Sequence, residues 1–151
     1  MMSTPLLIPE LDVSDLDRSL AVYVNVLGFM LQTSRPEERF AYLIRDGVHL
    51  MLEEARGPGR RFRTAPLDYP FGRGMNLQIE VVDVDTLYAN VRRAGLTVLI
   101  DLEERWYQQG GIEIGNRQFV MADPDGYLLR FFGNLGNRPA VRPDHGNYAS
   151  G

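Results

Sequence analysis

The chain repeats itself, and that constrains its fold more than any other feature. With Asp15 placed over Asp83, Leu11-Asp12-Val13-Ser14-Asp15-Leu16-Asp17 lies on Ile79-Glu80-Val81-Val82-Asp83-Val84-Asp85, apolar on apolar and acid on acid at nearly every position. Both copies then run into a helical pattern that ends in glycine, Leu27-Gly28-Phe29 against Ala94-Gly95-Leu96. Further on, Asp46-Gly47-Val48-His49-Leu50-Met51-Leu52 matches Asp125-Gly126-Tyr127-Leu128-Leu129-Arg130-Phe131 at a longer offset. The second copy therefore carries an insertion, placed most simply within Glu104–Arg117. A repeated unit of this size is one supersecondary block that buries its apolar face by packing on its neighbour.

Periodicity gives the block its order. Leu6–Val13 alternates as a half-buried strand. Ser14 is read as the start of a helix, with Asp17 three residues on as a variant capping box. Leu16, Leu20 and Tyr23 form its apolar stripe, and Gly28 supplies the left-handed stop. Phe29–Thr33, Arg39–Arg45 and Val48–Glu53 read as strands, the last two joined by Asp46-Gly47, a hairpin turn signal. The second copy repeats the order: strand Asn76–Val81, a helix capped by Asp83 and running to Arg93, then strands near Thr97–Leu102, Arg117–Ala122 and Tyr127–Phe132. The expected fold class is α+β, two tandem βαβββ modules whose curled mixed sheets surround a groove. Module one covers about 6–54, a Gly-, Pro- and Arg-rich linker about 55–74, and module two about 75–132 of a single domain, 1–132. The tail 133–151 lacks periodicity and is read as extended or disordered.

Alternation sorts each strand into two faces. Leu11, Val13, Leu50, Leu52, Ile79, Val81, Leu129 and Phe131 share an apolar side that must bury against the helices. The other side carries Ile8, Glu10, Asp12, His49, Met51, Glu53, Asn76, Gln78, Glu80 and Arg130, a mixture that suits a ligand-sized concavity and equally a plain solvated sheet. Two curled sheets side by side favour the concavity. Phe40 and Tyr42 share one face of their strand, and the period alone leaves groove and core open.

Composition removes whole classes of function. Without cysteine there are no disulfides, thiolate nucleophiles or Cys–zinc sites, so a cytoplasmic location is expected. Net charge is −4, which argues against binding a phosphate backbone. No apolar run approaches a membrane span, and Met1–Pro5 lacks the pattern of a secretory signal. Ser14 and Ser19 belong to a helix start, and no G-x-S-x-G elbow, P-loop or dinucleotide glycine motif occurs.

The paired junctions Val13/Asp15/Asp17 and Val81/Asp83/Asp85, the closing segment Asp123-Pro124-Asp125-Gly126-Tyr127-Leu128-Leu129-Arg130-Phe131 and the order of elements resemble the vicinal oxygen chelate superfamily. That superfamily includes glyoxalase I, extradiol dioxygenases, fosfomycin-resistance enzymes and bleomycin-resistance proteins. The resemblance covers roughly Leu6 to Phe132 and implies the glyoxalase/bleomycin-resistance fold. It also implies a divalent metal held by one His or Glu from each of four strands. The matching positions here are Ile8, Met51, Asn76 and Arg130. Three are poor donors for a transition metal, and Arg130 places a permanent cation where the dication would sit. His49 and Glu10 are the nearest substitutes, too few for tight binding, and His145 lies in the tail. Within the superfamily this pattern resembles the metal-free bleomycin-resistance branch, which binds a cationic glycopeptide antibiotic between two subunits. Leu50-Met51-Leu52-Glu53-Glu54 and Trp106-Tyr107 resemble that branch as well.

The resulting expectation is a homodimer that binds and sequesters a small molecule, with no cofactor, metal, catalytic residue, nucleic acid or membrane. Ligand contacts fall to Glu10, Phe40, Tyr42, His49, Met51, Glu53, Asn76, Trp106, Tyr107 and Arg130. Trp106, in a polar setting before Gly110-Gly111, reads as a loop residue that stacks on the ligand, caps the domain or lies at a dimer seam. Glu10, Glu53 and Glu80 pair with a cationic ligand or with nearby arginines. The linker arginines (Arg56, Arg60, Arg61, Arg63, Arg73) read as a solvated loop. Two other functions remain open. One is a lyase or isomerase using Glu10 or His49 as general base with Arg130 stabilising an oxyanion. The other is a non-catalytic scaffold.

Overall fold

The computed structural model describes residues 5–141; Met1–Thr4 and the tail beyond Val141, with His145, lie outside the described residues. The first copy folds as β1 (Glu10–Val13), α1 (Leu16–Asn25), β2 (Met30–Arg35), β3 (Phe40–Arg45) and β4 (Val48–Glu54). The second follows as β5 (Asn76–Glu80), α2 (Val84–Arg93), β6 (Val98–Gln109), β7 (Ile112–Ala122) and β8 (Leu128–Pro139). Each forms its own four-stranded sheet, in orders β1-β4-β3-β2 and β5-β8-β7-β6. In both, the first strand runs parallel to the last and the remaining pairs are antiparallel. The two sheets share one order of strands, as duplication requires.

Local chemistry explains where the helices begin and end. Ser14 is not the cap of α1: Asp15 holds that position, its carboxylate accepting from the Arg18 N–H at 3.2 Å. Asp83 does the same for α2 with the Thr86 N–H. The caps are thus the two aspartates that register the duplication, each stabilising its helix by about 1 kcal/mol. Gly28 and Gly95, at φ 78° and 70°, turn the chain out of the helices in the left-handed region.

The strand edges differ from the periodicity in three places. β1 starts at Glu10 instead of Leu6, leaving Leu6 and Leu7 exposed. Pro5 and Pro9 bracket that stretch, and proline has no N–H to give a ladder. The insertion in the second copy is an extension of the β6–β7 hairpin, so Trp106 lies in a strand and not in a loop. Gly110, at φ 62°, makes the turn. β8 follows this arm outward, Pro139 pairing with Ile112, so residues 133–139 are strand. The arm is mostly exposed along β6, which is why its sequence shows no apolar alternation.

One apolar core runs through both modules. Val13, Tyr23, Leu27, Phe29, Leu43 and Leu52 from the first join Val91, Phe119, Leu129 and Phe131 from the second, all essentially inaccessible to water. Phe119 stacks on Phe131 at 5.6 Å between ring centroids and meets Tyr88 at 5.2 Å.

A polar joint ties the modules together. The turn after β7 points two buried carboxylates back at α1. Asp123 accepts from the Tyr23 hydroxyl at 2.8 Å and from the N–H groups of Asp125 and Tyr127 at 2.9 Å each. Asp125 accepts from the Ser14 N–H and hydroxyl. Tyr127 donates its hydroxyl to the Asp12 carbonyl at 2.9 Å. Burial pushes the Asp123 carboxyl up to about 6 even though three donors hold its anion. Tyr23→Phe removes one donor from that buried carboxylate. It is expected to lower stability by about 1–3 kcal/mol in urea denaturation, with an unchanged denaturant slope.

Candidate functional site

The register of the first sheet decides which side chains share a face. Met51 lies between Glu10 and Tyr42, Glu53 between Asp12 and Phe40, and His49 beside Ile44. Directly opposed residues point the same way, so Glu10, Phe40, Tyr42, His49, Met51 and Glu53 stand on one surface, opposite the core residues Ala41, Leu43, Leu50 and Leu52. The choice between groove and core for Phe40 and Tyr42 is thereby made: both are on the groove side. Phe40 is nevertheless buried, with the Arg35 guanidinium 4.1 Å from its ring centroid. Tyr42 Oη and His49 Nδ1 share a hydrogen bond of 2.6 Å.

The linker closes over this face, contrary to its reading as a solvated loop. Arg61, with 9% of its side chain exposed, reaches Glu53 Oε2 at 3.2 Å. It also donates to the carbonyls of Glu54 and Glu38, both at 3.0 Å. A Cβ on Gly57 would stand 2.7 Å from the Arg61 guanidinium, so only glycine leaves it this room. Arg63 lies 3.5 Å from Asp12 and donates to the Ala55 carbonyl at 2.8 Å. These groups bound an open hollow of about 740 Å³ with Glu10, Phe62 and Met75 on its walls. Burial, the hydrogen bond and charge shared with Glu10, and Asp12 nearby push the Glu53 carboxyl up to about 7, against the pull of Arg61. Burial raises Asp12 as well, with Arg63 opposing.

The other four candidate residues belong to the second sheet. Arg130 lies across from Gln78 and Val120, and Asn76 across from Leu128. Arg130 Nη2 donates to Gln78 Oε1. Its guanidinium carbon is 5.8 Å from the centroid of Tyr107. Gln118 donates to Tyr107 Oη at 2.6 Å and to Glu103 Oε1 at 3.3 Å. Asn76, Glu103, Tyr107, Gln118 and Arg130, with Leu99 and Ile100, line a second open hollow of about 810 Å³. Trp106 borders it, yet pairs with Gly115 while Tyr107 pairs with Ile114, which puts the two side chains on opposite faces. Its ring covers Gly115 and has the Arg138 guanidinium 3.9 Å from its centroid.

The ten residues divide by sheet: of the first six Glu10 and Glu53 line the first hollow, the other four line the second, and no residue lines both. The four positions matched to metal ligands divide the same way, Ile8 and Met51 with the first sheet, Asn76 and Arg130 on the second. Their donor set, an alkyl group, a thioether, an amide and a guanidinium, does not fit a divalent metal. Among the described residues, no three His, Cys, Asp or Glu side chains are arranged to hold one. Sequence reasoning put Arg61 and Arg63 in a solvated loop and did not single out Gln118 or Glu103 as site residues. Gly57 and Gly59 just before Arg61 were its one signal, and Gln118 shares the strand parity of Val120.

Comparison with known proteins agrees with this architecture. A family profile described as Glyoxalase/Bleomycin resistance protein/Dioxygenase superfamily matches residues 9–131. The chain belongs to this superfamily. Within the superfamily it is 32% identical, over 134 residues, to proteins named Bleomycin resistance protein from Geobacillus stearothermophilus and Staphylococcus aureus; the match spans 83% of this chain and 93% of each relative. Solved structures share its fold. The glyoxalase/bleomycin resistance protein/dioxygenase of Alicyclobacillus acidocaldarius aligns with TM-score 0.59 and 22% identity, over 87% of this chain and 92% of the other. TioX from Micromonospora sp. ML1 aligns with TM-score 0.61 and 24% identity, over 85% and 98%.

Two outcomes follow from the geometry. Unfolded glutamate ionises near 4.5, whereas folded Glu53 does so at about 7. Between those values the folded state holds a proton the unfolded chain releases, so Glu53 makes stability fall as pH rises through that window. Glu53→Gln removes this dependence. The stability difference between variant and parent, read by urea denaturation, is expected to move in the variant's favour from about pH 5 to about pH 8. Gly115→Val would put a Cβ 2.7 Å from the Trp106 ring. The ring must leave its seat, and Trp106 emission is expected to shift to the red.

Proposed function

We propose that the protein binds and sequesters a bulky cationic small molecule of the bleomycin type, as a cytoplasmic homodimer and without a metal ion. The observation that carries this reading is the first sheet's face, where Glu10, Asp12 and Glu53 stand beside Phe40, Tyr42 and Met51. Glu53 and Asp12 already meet Arg61 and Arg63, so Glu10, with no arginine in ion-pair distance among the described residues, is the charge left to attract an organic cation, and the aromatic and thioether surface supplies apolar contact for its body. The donor set at Ile8, Met51, Asn76 and Arg130 supports binding without a dication, and the relatives named Bleomycin resistance protein support the choice of ligand. Glu10, Phe40, Tyr42, His49, Met51 and Glu53 would meet the ligand from one sheet, and Asn76, Tyr107 and Arg130 from the other, with Trp106 at its rim. Because these groups stand on separate sheets and no residue lines both hollows, a second copy is the means of bringing them together. Exposed Met30 and Leu31 on β2, and Leu99 and Ile100 on β6, give that contact apolar surface on the edge strands. Among the described residues no helix is long and apolar enough to cross a membrane.

Calorimetric titration of metal-free bleomycin, with Trp106 emission followed in parallel, tests the reading. Binding at micromolar protein, unchanged by EDTA and weakened about tenfold or more by Glu10→Gln with Glu53→Gln, is expected. No heat and no emission change at that concentration would remove bleomycin as the ligand. Sedimentation equilibrium checks the dimer. The Tyr42–His49 hydrogen bond of 2.6 Å favours one alternative, a metal-independent lyase or isomerase with His49 as base. That reading requires turnover that disappears in His49→Ala.

A further inference from the structure

We infer that the hollow on the second sheet is a carboxylate-binding subsite, taking an acid with an apolar body that Arg130 grips through its guanidinium. This goes beyond the cationic-ligand reading, which also brings Arg130 to its ligand, and rests on the geometry of the second sheet alone. The strand arginines Arg35, Arg45, Arg105, Arg117 and Arg138 each have a carboxylate within ion-pair distance. Arg130 is the exception: among the described residues no carboxylate oxygen comes within 4.0 Å of it. It is held instead by neutral groups, the Gln78 amide oxygen on one side and the Tyr107 ring on the other. Its Nε is buried without an acceptor, and Gln118 Oε1 is buried without a donor.

A half-buried guanidinium with no counter-charge is costly to keep unless something on its open side completes it. Its planar fork matches the two oxygens of a carboxylate, and that pair gains strength where water is scarce. The neighbouring charges leave the field positive. Glu103 also lines the hollow, but Arg105 lies 3.4 Å from it and the Gln118 amide donates to it at 3.3 Å, so its charge is already answered. The remaining wall is Leu99, Ile100, Val120 and Leu128, an apolar bed for the body of the acid. The hollow, about 810 Å³, has the size of an organic-ligand pocket.

Benzoate is the probe, with benzamide as its neutral counterpart. In a ¹⁵N-labelled full-length chain, benzoate is expected to shift the side-chain amide signals of Gln78 and Gln118 saturably at millimolar concentration, and benzamide at least about tenfold more weakly. Arg130→Gln, which keeps the hydrogen-bonding capacity toward Gln78 but not the charge, should weaken benzoate about tenfold or more. Arg130→Lys, which keeps charge without the fork, should lie between. Thermal melts confirm that each variant is folded. Absence of a saturable shift up to about 50 mM benzoate, equal shifts by benzamide, or equal affinity in Arg130→Gln would each overturn the subsite. A carboxylate from a second copy already seated on Arg130 would give the first of these results. Failure of the two readings is distinguishable, because bleomycin binding is tested through the first sheet's acids and this subsite through Arg130.

Discussion

Two buried aspartates in the turn after β7 hold the architecture in register. Asp123 and Asp125 take hydrogen bonds from Tyr23 and Ser14, so the closing turn of the second module is bonded to the opening helix of the first. Anions this deep survive only with several donors, and each has them. The joint is directional, which the apolar core around it is not. It aligns α1 against the second module and so fixes which face of each sheet is left for other work.

Those two faces have diverged in chemistry while keeping one topology. The first is acidic and aromatic and is covered by its own linker through Arg61 and Arg63. The second is amide-rich, and its Arg130 is held by neutral neighbours. A duplicated scaffold of this kind offers two related surfaces from one folding solution, and substitution on the outward-facing parity changes their chemistry without disturbing the core, because successive strand residues point to opposite sides. Trp106 shows the limit of that freedom: its ring fills the space Gly115 leaves open, so its place is set by packing along the hairpin arm.

The fold was legible because duplication, period and glycine stops all gave the same order of elements. Asp15 and Asp83 both align the copies and cap the helices. Errors gathered where a local pattern has two physical meanings. Leu6 and Leu7 alternate like strand residues, yet prolines flank them. The polar run Glu103–Gln109 resembles a loop, yet forms the outer part of a long hairpin whose partner strand, not its own side chains, holds it. Of the candidate site, Glu10, His49, Met51, Glu53, Asn76 and Arg130 were placed on their faces by parity. The faces of Phe40, Tyr42 and Trp106 were not readable, nor were the places of Arg61 and Gln118.

By itself, the sequence determined the α+β class, the two βαβββ modules, the inward parity of β1, β4, β5 and β8, and the poor donor chemistry of Ile8, Met51, Asn76 and Arg130. These depend on local periodicity and on the chemistry of single side chains, both of which are written along the chain. Only the tertiary structure decided that Arg61 folds onto Glu53, that Phe40 faces the groove, that Arg130 lacks an acid and that Asp123 meets Tyr23. Each of these is a meeting between residues from separate elements, and proximity across a fold is set by packing that no local pattern encodes.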